Sequence, residues 1–129
     1  MDKFFTFFTF RPIAHAERVK ERCSEYNKIV TSLDLPKNLK PLKPRYQSKD
    51  VTQRFDVVFW LGDLNFRVER NYDEAISIIN QIKKSSSGPN SKAYEILTKH
   101  DQLSMCLKKR AVFNGFNEAS KITFAPTFK

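Results

Sequence analysis

The run Phe55-Asp56-Val57-Val58-Phe59-Trp60-Leu61 constrains this chain more than any other segment. It consists of β-branched and aromatic residues with one polar interruption, Asp56, the composition of a central strand covered on both faces. Gly62 ends it. Immediately beyond stand Asp63, Asn65 and Arg67, so whatever this strand delivers is a turn rich in polar chemistry.

The flanking segments supply helices and a second strand. Phe4 to Phe10 is aromatic and Thr-rich and also reads as a strand packed on both faces, with Pro12 permitting a turn after it. From Ala16 to Leu33, Val19, Cys23, Tyr26, Val30 and Leu33 recur at spacings of four, three, four and three, a single helical stripe. Glu17, Arg18, Lys20, Glu21, Arg22, Glu25 and Lys28 then read as a solvated face. Pro36 to Arg54 carries three prolines and six Lys or Arg. It reads as an exposed loop, either a solvated connection or a basic lip facing an anionic surface. Asp73 is the expected N-cap of a helix from Glu74 to Lys84 that turns Ile76, Ile79 and Ile82 inward. Ser85 to Asn90 reads as a surface loop and Ser91 to Lys99 as helix. Asp101 is the expected cap of a short helix carrying Leu103, Met105 and Leu107. Val112 to Phe116 and Ile122 to Phe124 are expected short strands. Alternating strands and helices imply a layered α/β fold.

At 129 residues the chain is one small domain's worth of material, and 40% hydrophobic with 29% charged content excludes a disordered polar tail. No stretch approaches the roughly twenty apolar residues of a transmembrane helix. Met1 to Phe10 holds five of the twelve phenylalanines. Its apolar run is broken by Thr6 and Thr9 and stopped by Arg11-Pro12, so a strand is preferred to a secretory leader, despite a small-residue pattern at Ala14-His15-Ala16. Cys23 and Cys106 lack close-spaced partners, which argues for core thiols in a reducing compartment and against a disulfide framework or zinc knuckle. The net charge of +9 suits an anionic partner without choosing among nucleic acid, membrane surface and phosphorylated small molecule.

Asp63 and Asn65 lie two residues apart at the C-terminal end of a buried strand, where open α/β sheets build their sites. Asp63 can accept a proton from water, Asn65 can donate to a phosphoryl oxygen, and Arg67 offers a planar bidentate donor. On spacing alone a second reading stands beside this one, with Asp63 and Asn65 as turn residues and Arg67 in a structural ion pair. His15 reads as a helix-entry histidine bonded to backbone, His100 as a structural hydrogen-bonding residue, and Trp60 as packed in the sheet. Lys108, Lys109 and Arg110 suit a helix C-terminus.

Several separated pieces, in order, resemble one family. Phe59-Trp60-Leu61-Gly62-Asp63-Leu64-Asn65-Phe66-Arg67 is similar to the first signature of the inositol polyphosphate 5-phosphatases, a branch of the magnesium-dependent DNase I-like phosphoesterases. His15 with Glu17-Arg18-Val19-Lys20-Glu21-Arg22 and Tyr26 resembles the family's AH…ER…Y segment. His100-Asp101-Gln102-Leu103 resembles its (H/Y)DQL element, and Phe113-Asn114-Gly115-Phe116-Asn117-Glu118 its FxGFxE turn. Residues Ile122 to Lys129 resemble the opening of its 4-phosphate-recognition motif. The lead-in Asp50-Val51-Thr52-Gln53-Arg54-Phe55-Asp56 is most like the type IV, lipid-selective group.

The resemblance implies an α/β chain that is part of a four-layer DNase I-like sandwich. It implies a 5-phosphatase acting on phosphatidylinositol 4,5-bisphosphate or 3,4,5-trisphosphate. Asp63 positions and deprotonates the attacking water, and Asn65 binds the scissile phosphate. Arg67 supports that loop or the phosphate. Phe128 and Lys129 contact the 4-phosphate, although Phe128 lacks the hydroxyl of a tyrosine. Mg2+ is the implied cofactor, held by a glutamate upstream of Met1. The implied partners are a phosphoinositide or inositol phosphate and a peripheral membrane surface, with no nucleic acid. The implied location is cytoplasmic, peripheral to membranes, with ciliary or Golgi membrane suggested by the type IV likeness.

Phe10-Arg11-Pro12 stands where the family has Ser-His-Leu, which puts the first dozen residues outside the expected match. The family's PAWCDR-type signature and late Asp-His pair do not occur here. The chain therefore reads as an internal piece of a catalytic domain, inactive alone, with sheet edges and apolar surface uncovered. Two other functions are weighed. One is a nuclease-type relative sharing Gly-Asp-x-Asn, against which the HDQL and PTFK elements argue. The other is a catalytically dead lipid-binding piece.

Overall fold

Two parallel strands joined through a helix organise the first half of the molecule. The computed structural model describes residues 4–36, 44–84, 93–118, 120 and 122. The chain divides into two units, Met1–Asn65 and Phe66–Lys129.

In the first unit, β1 (Phe5–Thr9) pairs in parallel with β2 (Val57–Leu61), from Phe5 opposite Val57 to Thr9 opposite Leu61. A parallel pair needs a long crossover, and α1 (Val19–Ser32) lies within it. The helix covers one face of the pair. Trp60 stacks on Phe8 with ring centroids 5.0 Å apart, meets Phe10 edge-on, and touches Tyr26 of α1 at 5.1 Å. Tyr26, Val30 and Phe8 are buried there, so Trp60 packs in the sheet as expected.

The expectation of strands covered on both faces holds for one face only. Successive strand residues point to opposite sides, and the second side carries Phe5 (58% exposed), Phe7 (67%) and Phe59 (47%). Phe7 and Phe59 stack on each other at 5.0 Å. Uncovered apolar surface is what the reading as an internal piece anticipates.

α1 departs from its expected pattern most sharply at Arg22, while Glu25 of the expected solvated face is half-buried and Leu33 of the expected stripe is exposed. Arg22, assigned to the solvated face, is 1% exposed. Its Nη1 donates to the carbonyls of Ile13 (3.3 Å) and His15 (2.6 Å), and its Nη2 to Ala16 (3.4 Å). A buried guanidinium is tolerable when its donors find such acceptors.

The segment expected as an exposed loop contains two 3-10 turns, Pro44–Gln47 and Val51–Arg54. Asp50 caps the second by accepting from the Thr52 N–H (2.8 Å) and hydroxyl (2.6 Å), and Val51 and Thr52 are buried. Two of its cations serve internal pairs instead of an outward lip. Arg45 binds both oxygens of Asp56, at 2.6 and 3.1 Å, and Arg54 reaches Asp34 at 3.0 Å. The hydrogen bond from Asp56, then that from Tyr46, holds the Arg45 guanidinium charged beyond its ordinary range. Residues 37–43 lie outside the described set.

The second unit contains α2 (Tyr72–Lys84), α3 (Ala93–Lys99) and α4 (Gln102–Lys108). The cap of α2 is Asn71 rather than Asp73, because the Asn71 side chain accepts from the Glu74 N–H at 2.8 Å. Asp73 sits in the first turn, where a carboxylate suits the dipole. Of the three isoleucines expected inward, Ile82 is buried, Ile79 half-buried and Ile76 exposed. Asp101 caps α4 as expected, accepting from the Leu103 and Ser104 N–H groups. The face of α4 that is buried carries Gln102 and Cys106, while Leu103, Met105 and Leu107 are half-buried.

Val112 to Phe116 forms no strand. Arg110, Phe113 and Gly115 all have positive φ, which breaks an extended path, and the Phe116 N–H bonds back to the Phe113 carbonyl at 3.0 Å. Of the strand expected over Ile122 to Phe124, residues 123–124 lie outside the described set, as do 85–90 of the expected surface loop.

Candidate functional site

The site begins where β2 ends. The Leu61 carbonyl accepts from the Phe10 N–H at 3.2 Å, so the end of β1 runs directly alongside. Gly62 has φ +136, and a Cβ there would lie 2.2 Å from the Phe10 carbonyl oxygen. Only glycine fits such a turn.

Asp63 Oδ1 accepts from the Asn65 N–H at 3.1 Å, an Asx turn that closes the loop on itself. Asp63 Oδ2 lies 3.8 Å from Arg11 Nε, and the Asp63 side chain is 63% exposed. Asn65 occupies the left-handed region at φ 55, which asparagine tolerates better than most residues. It is buried, and its Nδ2 donates to the Pro12 carbonyl at 2.8 Å. The result is a carboxylate open to solvent beside an amide anchored to backbone. The turn reading of Asp63 is thus met by the Asx bond, and the same turn leaves its carboxylate facing solvent.

Among the expected site residues the structure brings Asp63 and Asn65 together. Arg67 is exposed and belongs to the second unit, where its backbone exchanges two hydrogen bonds with Gln102. The Arg67 N–H donates to Gln102 Oε1 at 3.0 Å, and its carbonyl accepts from the Gln102 N–H at 2.9 Å. Phe128 and Lys129 lie outside the described residues. The His100-Asp101-Gln102 stretch is tied to the segment after Arg67. The His100 carbonyl accepts from the Glu69 N–H at 2.8 Å, and Arg70 Nη2 contacts His100 Nε2 at 2.6 Å. His15 is an exposed residue at φ 77 whose carbonyl accepts from the Arg18 N–H and from Arg22.

Sequence reasoning misses Arg11 and Pro12, the neighbours of Asp63 and Asn65. The two segments lie far apart in the chain, and the parallel pairing of β1 with β2 brings them together. Among the described residues no three His, Cys, Asp or Glu side chains come together to hold a metal, and no helix is long and apolar enough to cross a membrane.

Residues 1–129 match the family described as Endonuclease/Exonuclease/phosphatase family 2. The chain belongs to that family. Its similarity to the phosphatidylinositol polyphosphate 5-phosphatase type IV of Rattus norvegicus is 36% identity over 126 residues, or 97% of this chain and 18% of the relative. With the phosphatidylinositol 3,4,5-trisphosphate 5-phosphatase 1 of the same organism it shares 39% identity over 115 residues, covering 88% of this chain and 8% of the relative. A solved structure, the inositol polyphosphate 5-phosphatase domain of SpSynaptojanin with inositol (1,4)-bisphosphate and a calcium ion, superposes with a TM-score of 0.69. That match has 24% identity and covers 94% of this chain and 30% of the other. It establishes the fold: mixed strands and helices forming part of a DNase I-like domain. The family membership read from the motifs is thereby borne out, and the chain spans less than a fifth of these curated relatives' length.

Proposed function

We propose that this chain carries the central part of a phosphoinositide 5-phosphatase catalytic domain. The carrying observation is the turn from Gly62 to Asn65, which sets a solvent-open carboxylate beside a backbone-anchored amide at the C-terminal end of a parallel strand. The 5-phosphatase names of its relatives support the substrate class.

In this reading Asp63 orients the attacking water and takes its proton, which requires the exposure that the side chain has. Asn65 binds the 5-phosphate through its amide, and burial keeps that amide from wandering. Arg67 is assigned to support of the loop or of the phosphate, and Gln102 holds its backbone. Phe128 and Lys129 are assigned to the 4-phosphate. Mg2+, the proposed cofactor, supplies neutralisation of phosphate charge when bound. Mg2+ keeps several waters and needs few protein carboxylates, and among the described residues no group of three His, Cys, Asp or Glu side chains gathers for it. No step is therefore routed through it, and its ligands are assigned to a glutamate outside this chain. Location is proposed as cytoplasmic and peripheral to membranes, with the net charge of +9 favouring an anionic leaflet.

The test compares this chain with a form extended by the motifs its relatives carry. Phosphate release is measured in magnesium from phosphoinositide vesicles, soluble inositol phosphates and DNA. The extended form is expected to act on inositides and spare DNA, and the chain alone to release nothing. Cleavage of DNA without release from inositides overturns the reading in favour of a nuclease. In the extended form Asp63→Asn is expected to lower turnover by roughly 10²–10⁴-fold with an unchanged melting curve.

A further inference from the structure

We infer that Glu25 and Arg22, on the inner flank of α1, are positioning residues for the Asn65 amide, an inference that rests on the reading of Asn65 as a phosphate-binding group. The link is a single peptide group. Its carbonyl, that of Pro12, accepts from Asn65 Nδ2 at 2.8 Å. Its N–H, that of Ile13, donates to Glu25 Oε2 at 3.0 Å. The two side chains thus grip opposite ends of one planar unit that has no freedom to twist internally.

The grip is chemical as well as geometric. A carboxylate accepting an amide N–H makes a charge-assisted bond, and polarising the N–H end strengthens the carbonyl at the other end as an acceptor. Proline contributes no N–H of its own, so Pro12 has no donor with which to tie itself to the sheet. Arg22 supplies the second restraint. It lies three residues before Glu25, on the same helix face, and its buried guanidinium gathers the carbonyls of Ile13, His15 and Ala16. The positive φ of His15 lets those carbonyls converge. Between them, Glu25 sets the plane of the Pro12–Ile13 peptide and Arg22 fixes the turn that follows. Asn65 is buried in a left-handed backbone, and the Pro12 carbonyl is an acceptor that directs its amide. Helix α1 therefore reaches Asn65 through the Pro12–Ile13 peptide group.

The experiment follows the Asn65 side-chain NH2 resonances by NMR in the isotope-labelled chain. The variants are Glu25→Gln, Glu25→Ala and Arg22→Lys, with Glu21→Gln on the exposed side of α1 as control. Glu25→Ala is expected to raise hydrogen exchange at the Asn65 amide on the order of threefold to tenfold. Glu25→Gln keeps the shape and the acceptor but loses the charge, so its rise is smaller while its melting temperature stays that of the parent. Arg22→Lys, which cannot span three carbonyls, moves the same resonances, and Glu21→Gln leaves them in place. A purely structural role produces no graded order at constant melting temperature. Unchanged Asn65 signals in both Glu25 variants overturn the inference, as does unfolding of Glu25→Gln. The readout uses no substrate, so failure of the phosphatase assay leaves it standing. Active enzyme with undisturbed Asn65 signals sinks the positioning role alone.

Discussion

Gly62 is the residue on which the site most directly depends. Its φ of +136 is closed to side chains, and the atom that a Cβ would strike is backbone, the Phe10 carbonyl oxygen, which has no flexible end to swing away. Gly62→Ala is therefore expected to cost on the order of 1–3 kcal/mol, read as a lower denaturation midpoint. It should also weaken the Phe10 to Leu61 hydrogen bond, seen as faster exchange of the Phe10 amide. A midpoint unchanged from the parent would show that the turn relaxes freely. The glycine and the Asp–Asn pair after it are legible from sequence because their chemistry is local: a turn, an Asx bond, a left-handed asparagine. Arg22 is not. Between charged neighbours it reads as solvated, and the three carbonyls that make its burial tolerable come from a turn six to nine residues away.

At the scale of elements, the same distinction separates the helix ends. Asp101 is legible as a cap because the residues after it start a clear apolar pattern, and its carboxylate also takes the Ser104 hydroxyl at 2.7 Å. Asp101→Ala is expected to cost about 1 kcal/mol, with exchange accelerating at the first amides of α4 and little change in α2. Equal acceleration in both helices would mean that the cap holds the whole unit together. At α2 the choice between Asn71 and Asp73 turns on where the first helical turn begins, and both residues cap well, so sequence offers little to separate them. The 3-10 turn at Val51–Arg54 is concealed by the basic residues before it. Its own cue is Asp50 two residues ahead of Thr52, a short-range Asx pattern that the cationic composition outweighs. The turn at Val112 to Phe116 misleads in the opposite way. Val112 and Phe113 have strand composition, but two positive φ values at Phe113 and Gly115 decide the path.

For the molecule as a whole, the open question set by the fold is the second face of the β1–β2 pair. Phe5, Phe7, Val57, Phe59 and Leu61 all lie at or above a third exposed, and they are contiguous because the strands pair in register. An apolar patch of this kind invites association, and among the described residues the sheet has two strands, so both are edges. The isolated chain is thus expected to bind a hydrophobic dye and to self-associate as concentration rises, measurable by fluorescence and sedimentation velocity. Paired Phe7→Ser and Phe59→Ser substitutions remove the stacked rings without touching Trp60, Phe8 or Tyr26 on the covered face. They should cut dye binding and association while shifting the denaturation midpoint by less than about 1 kcal/mol, since solvent-facing changes away from packed features seldom cost more. A loss of several kcal/mol, as large-to-small changes in a core produce, would mean that this face is packed in solution and that the exposed aromatic ladder does not describe the free molecule.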